Sequence, residues 1–336
     1  MLKFIPLVFR TIFIEMDTIN WGIIGCGDVA EVKSGPAFQK VKNSKLIAVM
    51  RRNAAKAEDF AKRHRVPFWY NTVDELLKNT EINAVYIATP PSTHLEILKM
   101  CLLAKKFVYL EKPMTLNFSE AKELHKLVSE KDKVVIAHYR RKLPAFEKVK
   151  EVINAGIIGE VLLADLQIFQ STNNNIIAKT ETNWRLNPEI SGGGYFYDIA
   201  PHQIDLIYYY FGEIKNAKGF STARANNNVN DIVNGIIEFK NGIQFRGVWN
   251  FNASDTNVKD ECIIYGKKGT ITFSFYSNQV FVSTNELQEV FNFKNPKHVQ
   301  QPMIENAVNY FLDKDKNPCT IKDGVTVMKT MELFTK

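Results

Sequence analysis

The chain has 336 residues, 45% of them hydrophobic and 24% charged. That suits about two water-soluble globular domains whose cores need neither disulfides nor structural metal. The formal net charge is +7 with Lys and Arg scattered, so the basic stripe of a nucleic-acid binder is missing, and no run reaches the ~18 apolar residues of a membrane span.

Residues 1–16 are apolar but interrupted by Pro6 and Arg10, and Met16 directly precedes the first predicted strand. They read as an N-terminal extension outside the fold. From Thr18 to His138 strands and helices alternate. Strands are predicted over 19–24, 46–50, 68–70, 84–89, 107–110 and 134–137. Several are continuously apolar, as strands covered by helices on both faces must be. Between them, Thr72 with Glu75 and Thr93 with Glu96 form capping boxes, and Asn117 with Glu120 comes close to one. Ala57, Phe60, Ala61 and His64 mark one buried helix face, and Gly35-Pro36 should break the first helix. The sum over 17–140 is an α/β Rossmann domain on a doubly wound parallel sheet.

The pattern changes after residue 140. A helix over 144–155 and a strand over 161–170 are followed by six strand-like runs at 217–224, 232–239, 243–251, 261–265, 270–275 and 279–284. Turn signals at Asn241-Gly242, Gly266–Gly269 and Ser277-Asn278 join them. Residues 141–336 thus read as an α+β domain on a large, mostly antiparallel open sheet. Ile243, Phe245, Gly247 and Trp249 should face its core, with Phe251 and Phe273 on the opposite face as a possible contact between copies.

Three segments carry chemistry. Trp21–Ala30 delivers an apolar strand into Gly25-x-Gly27-x-x-Ala30, with Asp28 and Val29 inside the turn. This is a dinucleotide pyrophosphate fingerprint with Ala at the third position. About 20 residues on, a carboxylate would accept hydrogen bonds from an NAD ribose, whereas Arg would pair a 2′-phosphate. Arg51 and Arg52 stand there, so NADP(H) is favoured and NAD(H) remains possible; the alternative is two solvated residues opening a helix over 53–64.

The second segment is the pair of strand ends Thr89-Pro90-Pro91 and Glu111-Lys112-Pro113, both at the carboxyl edge where ligands bind. Lys112 can polarise a substrate oxygen there; the alternative is a structural ion pair with Glu111. In the third, Gly192–Asp205, Asp198 and His202 are spaced i, i+4, so a carboxylate can orient an imidazole for proton transfer. The alternatives are Asp198 capping a helix over 199–211, a buried histidine, or a metal held by Asp198, His202 and Asp205. No further His or Cys cluster lies nearby, so no metal is assigned. The four cysteines are far apart with no CxxC pair, which points to free thiols and a reducing, cytoplasmic setting.

Taken together, the Gly25 turn, Glu-Lys-Pro after a strand, and Gly-Gly-Gly followed by Asp198-x-x-x-His202 resemble the glucose–fructose oxidoreductase / inositol dehydrogenase (Gfo/Idh/MocA) family over nearly all of 19–334. The segment 183–194 is most similar to its branch of 1,5-anhydro-D-fructose reductases and NADP-linked sugar and dihydrodiol dehydrogenases. The resemblance implies Lys112, Asp198 and His202 as catalytic residues, and Thr89, Pro90, His94 and Glu111 beside the cofactor. It implies Tyr139, Arg140, Trp184 and Arg185 around a carbohydrate or polyol substrate, a cis peptide before Pro113, and a homodimer or homotetramer through the open sheet. A closing helix from Asp323 is also implied. Two other activities fit the same resemblance: redox-neutral, NAD-dependent glycoside hydrolysis, and a non-catalytic NADP-binding sensor. The sequence leaves the substrate open, because loops such as 172–183 shape its pocket.

Overall fold

The computed structural model describes residues 16–171, 183–223, 229–286 and 288–336. The expected extension 1–16, apart from Met16, and the substrate loop 172–183, apart from Asn183, lie outside the described residues.

Six strands form the first sheet: β1 (Ile19–Ile24), β2 (Ser44–Met50), β3 (Phe68–Tyr70), β4 (Ala84–Ile87), β5 (Phe107–Leu110) and β6 (Val134–Ile136). They lie in the order β3-β2-β1-β4-β5-β6 and every pairing is parallel. All residues of β4 and β6 are buried, which is why these strands are unbroken apolar runs rather than alternating ones. Helices α1 (Ala54–His64), α2 (Val73–Lys78), α3 (His94–Leu103) and α4 (Phe118–Leu127) complete the doubly wound layer. Strand order reverses between β1 and β4, so a crevice opens at their carboxyl ends.

The caps follow the sequence with one exception. Thr72 Oγ1 accepts from Glu75 N at 3.3 Å and Asn117 Oδ1 from Glu120 N at 3.0 Å. Thr93 does not cap α3. Residues Pro91–Thr93 already form a 3₁₀ turn that runs into the helix, and the Thr93 hydroxyl donates back to Thr89 Oγ1 and the Pro90 carbonyl. The first connection is a short π-helical turn, Ala30–Ser34, that changes to a 3₁₀ turn at Gly35-Pro36, as expected.

The second sheet has eight strands: β7 (Val161–Phe169), β8 (Ile214–Thr222), β9 (Ile232–Phe239), β10 (Gln244–Asn250), β11 (Lys259–Gly266), β12 (Gly269–Phe273), β13 (Gln279–Thr284) and β14 (Gln288–Asn292). Their order is β14-β13-β12-β11-β7-β10-β9-β8, antiparallel among the described pairs except for β7 with β10. Four helices follow in the second half, α5 (Pro144–Asn154), α6 (Pro188–Ser191), α7 (Gly194–Phe211) and α9 (Ile321–Thr335), whereas α8 (Gln301–Phe311) returns to the first sheet, its Phe311 ring against Trp21 and Phe107. Neither β14 nor α8 was expected from the sequence. The Trp249 ring on β10 packs against Phe196 of α7 and Phe334 of α9, which seats both helices on one sheet face.

Phe251 and Phe273 are not on the opposite face. Both are buried, Phe273 against the rings of Phe146 and Phe275, and Phe251 against Tyr195. The alternation along each strand assigns the open face to a different row. Lys218, Ile236, Arg246, Asp165, Ile263, Thr272, Phe281 and Val290 are successive cross-strand partners. Within it Ile236, Phe281 and Val290 are exposed. No helix among the described residues is long and apolar enough to cross a membrane.

Candidate active site

The glycine turn leaves β1 at the reversal point of the sheet. Gly25 has φ +93°, and a Cβ there would stand 2.9 Å from the Thr89 backbone nitrogen, so only glycine lets the β1 and β4 ends come together. A Cβ on Gly27 would meet nothing within 4 Å, so the backbone faces open space on that side. The N–H groups of Gly25 and Cys26 are taken by the Met50 carbonyl. Those of Asp28 and Val29 then open the helical turn, where the first donors have no partner within the helix. Ala30 is fully buried and lets that turn sit close to the sheet. Arg51, just past β2, reaches the Cys26 carbonyl with Nη1 at 3.5 Å, placing its guanidinium beside the turn, while Arg52 is exposed. This open, glycine-lined backbone with a guanidinium at its edge fits the pyrophosphate of a nicotinamide dinucleotide. The Cys26 thiol is buried, which pushes its pKa up to about 11 and leaves it a neutral filler.

His94 opens α3 and is fully buried. Nε2 lies 2.8 Å from the Thr89 carbonyl, and Nδ1 lies 3.1 Å from that of Pro113. It ties the Thr89-Pro90 loop to the loop after β5 rather than standing open to a ligand. Glu111 is also buried. Its Oε1 accepts from Tyr86 Oη at 2.5 Å and Gln300 Nε2 at 2.6 Å, and its Oε2 from Lys112 N at 3.1 Å. That anchors the end of β5 from beneath. Lys112 Nζ is therefore not the partner of Glu111.

The Lys112–Pro113 peptide is cis, and Lys112 Nζ crosses to α7. There it donates to Asp198 Oδ1 at 2.8 Å and to the Asp198 carbonyl at 2.7 Å. The second carboxylate oxygen accepts from Arg185 Nε at 2.7 Å. Arg185 also stacks 4.5 Å from the Trp184 ring centroid, so those two residues arrive at the site together. Burial works to raise the Asp198 pKa, but the charges of Lys112 and Arg185 outweigh it and hold the carboxyl well below the ordinary value.

The start of α7 explains why Asp198 can be held this way. Ser191 Oγ accepts from the N–H groups of Gly193 and Gly194, so the helix begins at Gly194 and Asp198 lies inside it rather than capping it. Gly192 has φ +89°, and a Cβ there would fall 2.3 Å from the Leu116 carbonyl. The triple glycine thus lets α7 abut the loop that carries Lys112.

His202 lies one turn further along α7 and is 5% exposed. Its ring meets that of Tyr139 edge-on at 5.2 Å. Asp198 does not orient it, since both carboxylate oxygens are already engaged, and His202 Nδ1 has no partner among the described residues. Burial is the largest cause that depresses the His202 pKa well below 6.5, followed by the positive charges of Lys112 and Arg140 and by His138 and Lys33. The imidazole is therefore neutral at pH 7.

A buried ionic cluster that the sequence did not reveal lies behind it. Arg141 grips Asp205 through Nε at 2.9 Å and Nη2 at 2.6 Å, and reaches Asp323 of α9 at 3.2 Å. Asp205 is thus committed to a guanidinium rather than to a metal with Asp198 and His202. Arg140 stacks at 4.6 Å on Tyr276, a residue that no local spacing could have linked to the site.

A family model described as an oxidoreductase family with an NAD-binding Rossmann fold matches residues 19–139, and its companion C-terminal domain matches 146–272. Oxidoreductase P35 of Formosa agariphila is 54% identical over 317 residues, covering 94% of this chain and 98% of that protein. The mouse trans-1,2-dihydrobenzene-1,2-diol dehydrogenase is 28% identical over 75% of this chain and 73% of its own length. A levoglucosan dehydrogenase solved with NADH and levoglucosan shares the fold at a TM-score of 0.84 and 21% identity, covering 94% of this chain and 96% of that one. With both halves matched and a relative this similar along its whole length, the chain belongs to the Gfo/Idh/MocA family of oxidoreductases.

Proposed function

We propose that this protein is an NADP(H)-dependent dehydrogenase of a sugar, keto-sugar or cyclic polyol. The observation that carries the reading is the Lys112–Asp198 ion pair beside the crevice of the Rossmann sheet, with His202 one turn further along the helix that bears Asp198. A levoglucosan dehydrogenase and a trans-1,2-dihydrobenzene-1,2-diol dehydrogenase are among its likenesses, which supports the substrate class.

A bound nicotinamide supplies the hydride acceptor or donor. Lys112, with one N–H left beyond the two that Asp198 takes, donates a hydrogen bond to the substrate oxygen and stabilises negative charge as it develops there. Asp198, with Arg185 behind it, holds the Lys112 amine at the strand end. His202, neutral in the free protein, takes the hydroxyl proton when an alcohol is oxidised and returns it when a carbonyl is reduced. In oxidation the C–H bond leaves as hydride and the O–H bond as proton, so a carbinol becomes a carbonyl.

Arg51 supports the phosphorylated nucleotide, because its guanidinium beside the glycine turn is able to pair an adenosine 2′-phosphate. The four buried thiols suit the reducing cytoplasm. The apolar residues of the open row, Ile236, Phe281 and Val290, make that sheet face the contact of a homodimer or homotetramer. Absorbance at 340 nm across a panel of sugars, polyols and keto-sugars, with NADP(H) and NAD(H) in parallel, tests the activity. Turnover with NADP(H) is expected; silence across the panel with both nucleotides contradicts it.

A further inference from the structure

Arg140 is buried next to the proposed site in a way that the mechanism above does not use. It is 7% exposed, and Nη1 donates to the Phe275 carbonyl. The guanidinium carbon lies 4.6 Å from the ring centroid of Tyr276 and 5.7 Å from those of Tyr139 and Phe146. Nε is buried without a hydrogen-bond partner among the described residues. No carboxylate of the described residues stands within 4.0 Å of it. Asp260 accepts instead from the backbone N–H groups of Phe275 at 3.0 Å and Tyr276 at 2.8 Å.

A guanidinium held out of water with no anion beside it is costly to the folded state. Elsewhere in the chain a buried arginine is matched: Arg141 has Asp205 and Asp323, and Arg185 has Asp198. Arg140 breaks that pattern at a position that faces chemistry. The Tyr139 ring touches both its guanidinium and the His202 imidazole, so the unmatched charge stands one aromatic ring from the proton acceptor. Lys112 and Arg140 both act on His202 with positive charge, and Asp198, the acid of the site, is shared by Lys112 and Arg185.

We infer that the substrate is an acidic sugar, and that Arg140 binds its carboxylate between Tyr139 and Tyr276 while a ring hydroxyl is presented to Lys112 and His202. The inference rests on the oxidoreductase reading above and narrows its substrate class. Arginine presents a planar fork that matches a carboxylate, and the flanking rings cover the sugar faces. The carboxylate takes no part in the redox step. Its role is to complete the charge of a preformed donor, which rejects neutral analogues because they leave the guanidinium unmatched.

The test compares D-glucuronate, D-galacturonate and D-mannuronate, each against its neutral hexose, with the NADP⁺-loaded protein. Binding is read by calorimetry and turnover by absorbance at 340 nm. At least one uronate is expected to bind about tenfold or more tightly than its hexose. In Arg140→Gln that ratio falls to about one, and in Arg140→Lys part of it returns, with melting curves confirming that both variants fold. Equal binding of every pair in the wild type, or a preference that Arg140→Gln keeps, overturns the inference. Tighter binding of D-glucose 6-phosphate than of any uronate overturns the assignment to a carboxylate. Hexose turnover without a uronate preference sinks the inference alone; an Arg140-dependent uronate preference without turnover of any sugar sinks the oxidoreductase reading and leaves the anion site.

Discussion

Lys112 and Asp198, 86 residues apart in sequence, are joined twice: the amine donates to the Asp198 carboxylate at 2.8 Å and to its main-chain carbonyl at 2.7 Å. This double contact fixes the end of β5 against the second turn of α7. It also gives the Lys–Asp pair a different division of labour from the Asp–His pair that the i, i+4 spacing suggested. The carboxylate serves the amine, and the imidazole stands apart.

Asp198→Asn should therefore damage chemistry through Lys112. Without the carboxylate, Lys112 and Arg185 face each other with no anion between them. Turnover is expected to fall about 10²-fold while NADP(H) affinity, read by fluorescence titration, stays near the wild-type value. A variant that loses nucleotide affinity but keeps its turnover contradicts the assignment.

His202 sets the pH dependence. Its pKa lies well below 6.5, so the proton-accepting form persists further into acid than an ordinary histidine allows. The kcat/KM for alcohol oxidation is expected to hold level from pH 8 to below 6.5. A limb that already falls between pH 7.5 and 6.5 and vanishes in His202→Asn would show the imidazole to be unperturbed.

Nucleotide choice should follow Arg51. Replacing its guanidinium with a carboxylate in Arg51→Asp introduces repulsion toward a 2′-phosphate and an acceptor for a ribose. The ratio of kcat/KM for NADP⁺ over NAD⁺ is expected to drop at least about tenfold, a change of roughly 1.4 kcal/mol. An unchanged ratio removes Arg51 from the nucleotide site.

Much of the fold was legible because burial on both faces forces continuous apolar strands, and β1, β3, β5, β9 and β13 have the predicted bounds. Lys112 was legible as a cation at a buried strand end. What the sequence hid depends on distance or on backbone geometry. Arg185 and Lys112 converge on Asp198 from separate elements, and Tyr276 reaches Arg140 from the far sheet, contacts that no local period encodes. The helix start was misjudged because Ser191 caps α7 through a glycine turn that reads as loop. Phe251 continues the alternation of Phe245 and Trp249 and so was misplaced against the period of its own strand, whereas the side that Phe273 takes is set by its register with distant strands.

Three buried histidines make the fold sensitive to acid. Burial is the leading cause that lowers the pKa values of His94, His138 and His202 from 6.5. Below pH 6.5 the unfolded chain takes up protons that the folded chain does not, so stability falls with pH until each folded pKa is reached. Each group contributes a slope of up to about 1.4 kcal/mol per pH unit. Urea midpoints measured from pH 7.5 to 5 should decline steadily. A flat profile would show that these rings titrate alike in the folded and unfolded chain.

The most direct measurement is single-turnover absorbance at 340 nm for wild type, Lys112→Met and His202→Ala, each saturated with NADP⁺ and given the best sugar from the panel. The account predicts that both variants bind the nucleotide and reduce it about 10²–10⁴ times more slowly than wild type. Reduction at the wild-type rate in either variant would contradict it.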